Sequence, residues 1–289
     1  MSMIRAKVIA DSVAPTGKRI TTLELVYPRF IHGEVMTHRM FSRNAASSRA
    51  IPVRRTIEQV LYNPMMPLYM GQEKKGMQAG ENLKSDDWAY CYDTIMAMRI
   101  AAVTMAESLV SHNLHKSIVN RYLEPWQQMK MIVTATNWSN FFALRDHPDA
   151  EGHMRHLAQA MKEAIQQSMP APIGIGQWHA PYVGSPAVGG QYEDWDHCKS
   201  LPPMLKMSVA RCARVSYNNH DGTKPDVEKD YALHDMLLGS GHMSPFEHQA
   251  TPLPSYYDVS GNFQGWEQYR KELANESQED QSFKYDSPI

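Results

Sequence analysis

Cysteine is scarce in this chain: 289 residues hold three, Cys91, Cys198 and Cys212, with no CxxC spacing. An odd set without paired spacing excludes a disulfide framework and fits a reducing compartment, all three being read as free thiols. An excess of either charge is also lacking, since 29 Lys and Arg stand against 31 Asp and Glu and the pI is about 6.7. No overall basic field marks a binder of duplex DNA or of an anionic membrane, so any site for a polyanion is local. The first ten residues carry Arg5, Lys7 and no apolar stretch of signal-peptide length. No later run approaches the roughly 18 uninterrupted apolar residues of a membrane span. These absences lead to the expectation of a soluble, cytoplasmic protein with neither a membrane nor a nucleic-acid partner. Its length is enough for one sizeable domain or two small ones with a core that needs no staples, and residues 1–289 are read as a single domain.

What the chain has in plenty is methionine, 20 residues. Met96, Met98 and Met105, and Met154 and Met161, fall at helical spacing, which reads as core packing by an adaptable side chain rather than as a metal or cofactor box. Residues 6–10 and 21–27 are β-rich runs around a turn at Pro15, Thr16 and Gly17. From Pro28, an expected helix start, Phe30, Ile31, Val35 and Met36 make one helical face ending near His38. Residues 62–84, with Pro64, Pro67, Gly71, Gly76 and Gly80, lack a period and read as a long surface loop. Residues 86–112 form the strongest helix, with Trp88, Tyr92, Ile95, Met98, Ala102 and Met105 on one side. Helices also fit 137–145 and 149–168. The Pro- and Gly-rich stretch within 169–205 reads as a connection, 208–217 as a strand or a helix entry, and 225–238 as a helix opened by Thr223 and closed by Gly239 and Gly241. The polar tail 275–289 is expected to fray.

The densest polar cluster runs from His38 through Arg39, Ser42, Arg43, Asn44, Ser47 and Ser48 to Arg49, followed by Arg54 and Arg55. Planar guanidinium forks, short hydroxyls and free backbone amides suit a phosphate monoester or pyrophosphate, as in a nucleotide, although the same composition serves a merely solvated basic turn. His147, His153 and His156 raise a zinc possibility by spacing. A helix places only the last two on one face, and no cysteine is near.

Order adds what composition lacks. The string THRMFSRNAASSR at 37–49 resembles the RHRxxSxNxxSxR signature of flavin-dependent thymidylate synthases of the ThyX type. ARVSY at 213–217 and GHMSPFEH at 241–248 are similar to that family's ARVSY and GHxSPFEH pair, and NFFALR at 140–145 to its N-F-x-x-L-R segment. In the family the ARVSY and SPFEH strings precede the Arg-rich signature, whereas here they follow it. The resemblance therefore implies an α+β fold with a ThyX-like mixed sheet and helices, in circularly permuted order, and an oligomer, expected to be a homotetramer. The 62–84 loop and the tail fall outside it.

Residue by residue, the resemblance implies that Ser47, Ser48 and Arg49 hold the phosphate of dUMP or a related pyrimidine deoxynucleotide. Arg121 is a second phosphate arginine, and Arg145 sits at the uracil edge as the catalytic cation. His38, Arg39, Asn140 and His248 would face the flavin, and Asn44 would support the turn. Four positions depart from the pattern: Thr37 replaces an Arg, Ala45 (beside Ala46 at the nucleotide) replaces a Glu, Glu34 a Gln that contacts the nucleotide, and Thr136 an Arg that contacts the flavin. The implied activity is reductive methylation of dUMP, with FAD as cofactor and NADPH and methylenetetrahydrofolate as co-substrates. Hydroxymethylation of the same base is an alternative in the same family. A cysteine-dependent methylase, for which Cys212 is the thiol nearest a motif, and a non-enzymatic nucleotide-binding module are alternatives of other classes.

Overall fold

The two β-rich runs and the turn between them are where the sequence places them. In the computed structural model, which describes residues 4–183, 201–216, 219, 223–274 and 276–277, β1 (Arg5–Val13) and β2 (Arg19–Pro28) pair antiparallel. The turn closes with the Gly17 amide donating to the Ala14 carbonyl at 2.9 Å, Gly17 itself having a φ of +83° that favours glycine. A 3-10 turn, Arg29–Ile31, leads into the single-turn helix α1 (His32–Val35). Pro28 therefore ends a strand and caps a 3-10 turn, and the long helix expected after it is two short turns.

The chain continues through β3 (Ser42–Ala45), α2 (Val53–Tyr62), α3 (Ser85–Ser111), α4 (Lys116–Val119) and β4 (Gln128–Ala135). Next come α5 (Ser139–Arg145), α6 (Gly152–Gln167), β5 (Ala171–Pro172), α7 (Leu201–Arg214) and α8 (Val227–Gly239). The C-terminal part holds β6 (Ala250–Pro252), β7 (Val259–Ser260), β8 (Phe263–Gln264), β9 (Trp266–Gln268) and α9 (Tyr269–Glu272). The main sheet has the order β3-β4-β2-β1-β5, antiparallel except for the β1–β5 pair, so the fold is α+β with a mixed sheet.

Alternation assigns the two faces of the sheet. Leu23, Leu25 and Tyr27 of β2 and Met129, Met131 and Val133 of β4 pack against Phe141 of α5 and Met154, Leu157, Ala158 and Met161 of α6. The α6 residues recur at i, i+3, i+4 and i+7, and each large one gains about 2 kcal/mol from leaving water. On the opposite face Ile132 meets Tyr182, Cys212 and Val215. Covered on both sides, β4 is buried at every position from Met131 to Ala135, which hides the period of two by which strands are recognised.

The long helix α3 confirms its expected extent, and Tyr92, Ile95 and Ala102 of its expected face pack against the core, but not the whole of that face does. Val103, Ala106 and Arg99 are buried, while Met98 and Met105 are exposed. The Arg99 guanidinium donates to the carbonyls of Val60 and Leu61 at 2.8 and 2.6 Å, satisfying the end of α2 and fixing the rotation of the helix. By length and composition alone α3 could cross a membrane, although only 17% of its apolar window is buried in the protein. The methionine reading holds for Met154 and Met161, both fully buried. α7 begins inside the expected connection and shows that 208–214 is helical. Asp226, not Thr223, caps α8, its carboxylate accepting from the Glu228 amide at 3.0 Å. Cys198 and almost all of the tail lie outside the described residues.

A buried polar chain crosses the sheet. Ser12 Oγ, His179, Thr22 Oγ1, Thr134 Oγ1 and His248 Nδ1 are joined by hydrogen bonds of 2.9, 2.7, 2.7 and 2.8 Å. Burial lowers the pKa of His179 to about 4 and that of His248 to about 3. Both rings are thus neutral in the fold, and the unfolded chain binds their protons below its ordinary value near 6.5. The stability they contribute is complete above that pH and declines as pH falls towards 4, by roughly 1 kcal/mol per pH unit for each ring. Urea unfolding is expected to show roughly 3 kcal/mol less stability at pH 5 than at pH 7; a flat profile contradicts this assignment.

Candidate active site

The Arg-rich segment follows α1 and becomes the edge strand β3, in which Ser42 is buried and Arg43, Asn44 and Ala45 are half-buried. Asn44 joins the signature to the ARVSY and SPFEH strings. Its Nδ2 donates to the carbonyls of Cys212 and Ala213 at 2.8 and 3.2 Å, and its Oδ1 accepts from Ser244 Oγ at 3.0 Å. A cavity of about 180 Å³ opens beside it, lined by Asn44, Ala45, Ala46 and Ser47 from the signature, Ala213 and Arg214, and His242, Ser244 and Pro245. Strings that lie some 170 to 200 residues apart in sequence thus form one wall. Asn44→Asp keeps the acceptor for Ser244 but turns a second oxygen on two carbonyls. It is expected to cost about 2 kcal/mol in urea unfolding, more than Asn44→Ala does; a smaller loss than with alanine contradicts the stitching role.

A second group forms around Arg145 at the end of α5. Arg145 Nε donates to His38 Nε2 at 2.9 Å, Nη2 reaches Thr37 Oγ1 at 3.4 Å, and Nη1 lies 3.9 Å from a Glu34 carboxylate oxygen. A structural role for Arg145 through the acids beside it is not what the geometry shows: Asp146 bonds Lys162 and Gln159, and Asp149 lies against His147. Burial, then the positive charge of Arg145, lowers the pKa of His38, while burial, then the nearby Glu151, raises that of Glu34. The accepting Nε2 places the His38 proton on Nδ1. Glu34 and Arg145 line a cavity of about 700 Å³, whose far wall is Lys74, Lys75, Gly76, Met77 and Gln78. The segment read as a plain surface loop is therefore part of this site, held in shape by the Gln72 amide donating to the Glu81 carbonyl and the Gly80 amide donating to that of Gln72.

The remaining expected residues separate by exposure. Arg39, Arg49, Arg121 and Asn140 are exposed, Arg121 donating to the Ser117 carbonyl of its own turn at 3.2 Å. Ser48 is tied by its carbonyl to Asn120, whose buried amide also holds Ile51 at 3.0 Å. Two expected flavin contacts lie in the core instead. His248 is fully buried on Thr134, and Thr136 is buried with its hydroxyl accepting from the Gln264 amide at 3.0 Å.

Arg214 is the residue that spacing alone misses. The fully buried Asp230 pairs with both Arg211 at 3.0 Å and Arg214 at 2.6 Å, which holds the Arg214 guanidinium at the cavity wall. Its signal was the ARVSY string, in which the arginine is the only ionisable group described. Cys212 beside it is fully buried, and burial pushes its thiol far above the ordinary range, so it offers no thiolate. No cluster of metal-ligating residues occurs among the described residues. His153 is held by Glu151 at 2.6 Å and by the Leu68 amide at 2.8 Å, a satisfied core histidine.

Comparison with known proteins follows this geometry. The chain is similar in structure to the UMP/dUMP methylase PolB from Streptomyces cacaoi bound with 5-Br UMP, at 15% identity over 58% of this chain and 90% of that one, with a TM-score of 0.47. It is similar to thymidylate synthase ThyX from Helicobacter pylori with FAD and dUMP at 18% identity over 50% and 67% of the two chains, with a TM-score of 0.36. No curated protein matches it. The family model described as thymidylate synthase complementing protein matches residues 19–171, more than half of the chain and all of the Arg-rich signature. The chain belongs to the thymidylate synthase complementing protein (Thy1) family.

Proposed function

We propose that the chain is a cytoplasmic flavin-dependent thymidylate synthase that converts dUMP to dTMP, with FAD as its cofactor, methylenetetrahydrofolate as carbon source and NADPH as reductant. The observation that carries this reading is the joining of the signature to the ARVSY and SPFEH strings through Asn44. The same joining supports a circularly permuted chain, because segments in exchanged order still meet. A homotetramer, with neither a membrane nor a nucleic acid as partner, completes the proposal.

The side chains fit the ligands. Ser47, Ser48 and Arg49, on a turn after β3, supply the hydroxyls and planar fork that suit the nucleotide phosphate. His38, Arg39 and Asn140 supply donors and a neutral imidazole on the flavin side, and Arg121 a further surface cation. A flavin bound there would supply the hydride chemistry. Arg145 then acts as the fixed cation at the uracil edge, where it would stabilise the anionic form of the ring, with charge on N3 and the carbonyl oxygens, whose electron pair C5 then gives to the carbon donor. Its guanidinium is oriented by His38 and Thr37, and Glu34 opposes it across the cavity wall.

A second reading, hydroxymethylation of the same base, is favoured by one observation: a carboxyl at Glu34, with its pKa raised by burial, faces a cavity of about 700 Å³ with room beside the ring. The test is incubation of the purified protein with dUMP, methylenetetrahydrofolate and NADPH, followed by mass analysis of the nucleotide. A yellow protein making dTMP supports the first reading, and a hydroxymethylated product the second. A colourless protein that binds dUMP without turnover overturns both. Cys212→Ala is expected to keep full turnover if it folds; a yellow, folded and inactive variant would restore the covalent mechanism.

A further inference from the structure

The outer side of α3 carries a second helical pattern that its own fold does not use. Tyr90, Thr94, Ala97, Ala101, Thr104 and Ser108 follow one another at alternating steps of four and three, the spacing at which one helix meets another, and all six are exposed. Tyr90 is 74% exposed, and Met98 at the flank of this seam is 61% exposed. Between Thr94 and Ala106 the only charged residue is Arg99, buried on the other side of the helix against the end of α2. The hydroxyls of Thr94 and Thr104 donate to the carbonyls of Tyr90 and Ile100 at 2.8 and 3.2 Å, so neither needs water. An uncharged helix face of this length on a protein surface marks an interaction site.

The pattern also says what fits it. The seam is symmetric about position 99: Ala97 stands as far from it as Ala101, Thr94 as Thr104, and Tyr90 as Ser108. Two copies laid antiparallel would set alanine on alanine at the centre, where small side chains let the helices come close, and the Tyr90 ring of each over Ser108 of the other. The charges agree. Asp86 and Asp87 lie in the first turn and His112 caps the other end, so antiparallel copies bring carboxylates to an imidazole, whereas parallel copies would set like carboxylates side by side. A helix of 27 residues is about 40 Å long, and a stripe a third of the way round it covers roughly 600 Å² per copy, which reaches the lower end of specific interfaces.

We infer that the outer side of α3 is a twofold, antiparallel contact between two copies of this chain. None of the strings that carry the family resemblance lies on α3, and the proposed homotetramer enters only in how many copies are counted. Sedimentation of the full chain without ligands tests the contact. Ala101→Glu places a charge at the centre of the seam on an exposed site, with little change in helix propensity, and is expected to halve the sedimenting mass while circular dichroism stays that of the wild type. The register has its own test. Mild oxidation of Ala97→Cys mixed with Ala101→Cys is expected to give a disulfide between the two introduced thiols, found by peptide mass, that neither variant forms with itself. A wild type that sediments as a single copy, an Ala101→Glu variant of unchanged mass, or cross-linking as strong in each variant alone overturns the inference. So does flotation of single copies with lipid vesicles, which would assign the face to a membrane. Association is read without substrate or flavin, so a chain that pairs through α3 and makes no dTMP refutes the proposed activity alone.

Discussion

Arg145→Lys is expected to slow turnover by about 10² or more while leaving the melting temperature and the flavin content unchanged. The reason is geometric. Arg145 splits its donors, Nε towards His38 and the terminal nitrogens towards Thr37 and Glu34. A lysine presents one mobile ammonium and keeps the positive charge while losing the oriented fork. Because Asp146 and Asp149 have other partners, the change disturbs no helix-end ion pair. Steady-state kinetics with the thermal melt and the flavin absorption measured on the same sample settle the matter. A variant that melts early, loses flavin and keeps activity in proportion to folded protein shows that Arg145 is structural.

Asp230→Ala is expected to cost about 3–5 kcal/mol, among the largest effects of any single substitution in this chain. Asp230 is fully buried between Arg211, whose side chain is also fully buried, and Arg214 at the cavity wall. Removing the carboxylate leaves two guanidinium groups facing each other in a low-dielectric interior, a penalty far above the worth of an exposed pair. At roughly 2–4 °C per kcal/mol for a chain of this size, the melting temperature falls by about 10 °C. Arg214 also loses the group that holds it in place at the cavity wall. A loss under about 1 kcal/mol would mean that solvent reaches the pair and that Arg214 is positioned by something else.

By itself, the sequence determined the local features whose physics is short-range. The turn at Gly17 needs a positive φ, the α6 stripe of Met154, Leu157 and Met161 repeats every turn, and α3 begins and ends within a residue of its expected bounds. The order of residues in the Arg-rich string, together with the two later strings, carried the family, because a motif is read from spacing within a short string. Tertiary structure alone decided how the separated pieces meet. Asn44 reads in sequence as a turn-supporting residue, and only the fold shows that its amide reaches Cys212, Ala213 and Ser244. The inward face of α3 was legible only in part, Tyr92, Ile95 and Ala102 packing inward but not Met98 or Met105, because apolar residues lie all around that helix and the deciding contact is polar, Arg99 capping the carbonyls at the end of α2. The sequence also does not show that His248 and Thr136 are buried, the first on Thr134 and the second on the Gln264 amide. The loop at 74–78 and Arg214 were invisible for the opposite reason. They have no periodicity to announce them, and their meaning comes from charges and cavity walls contributed by residues far away in the chain, a relation that one-dimensional spacing does not contain.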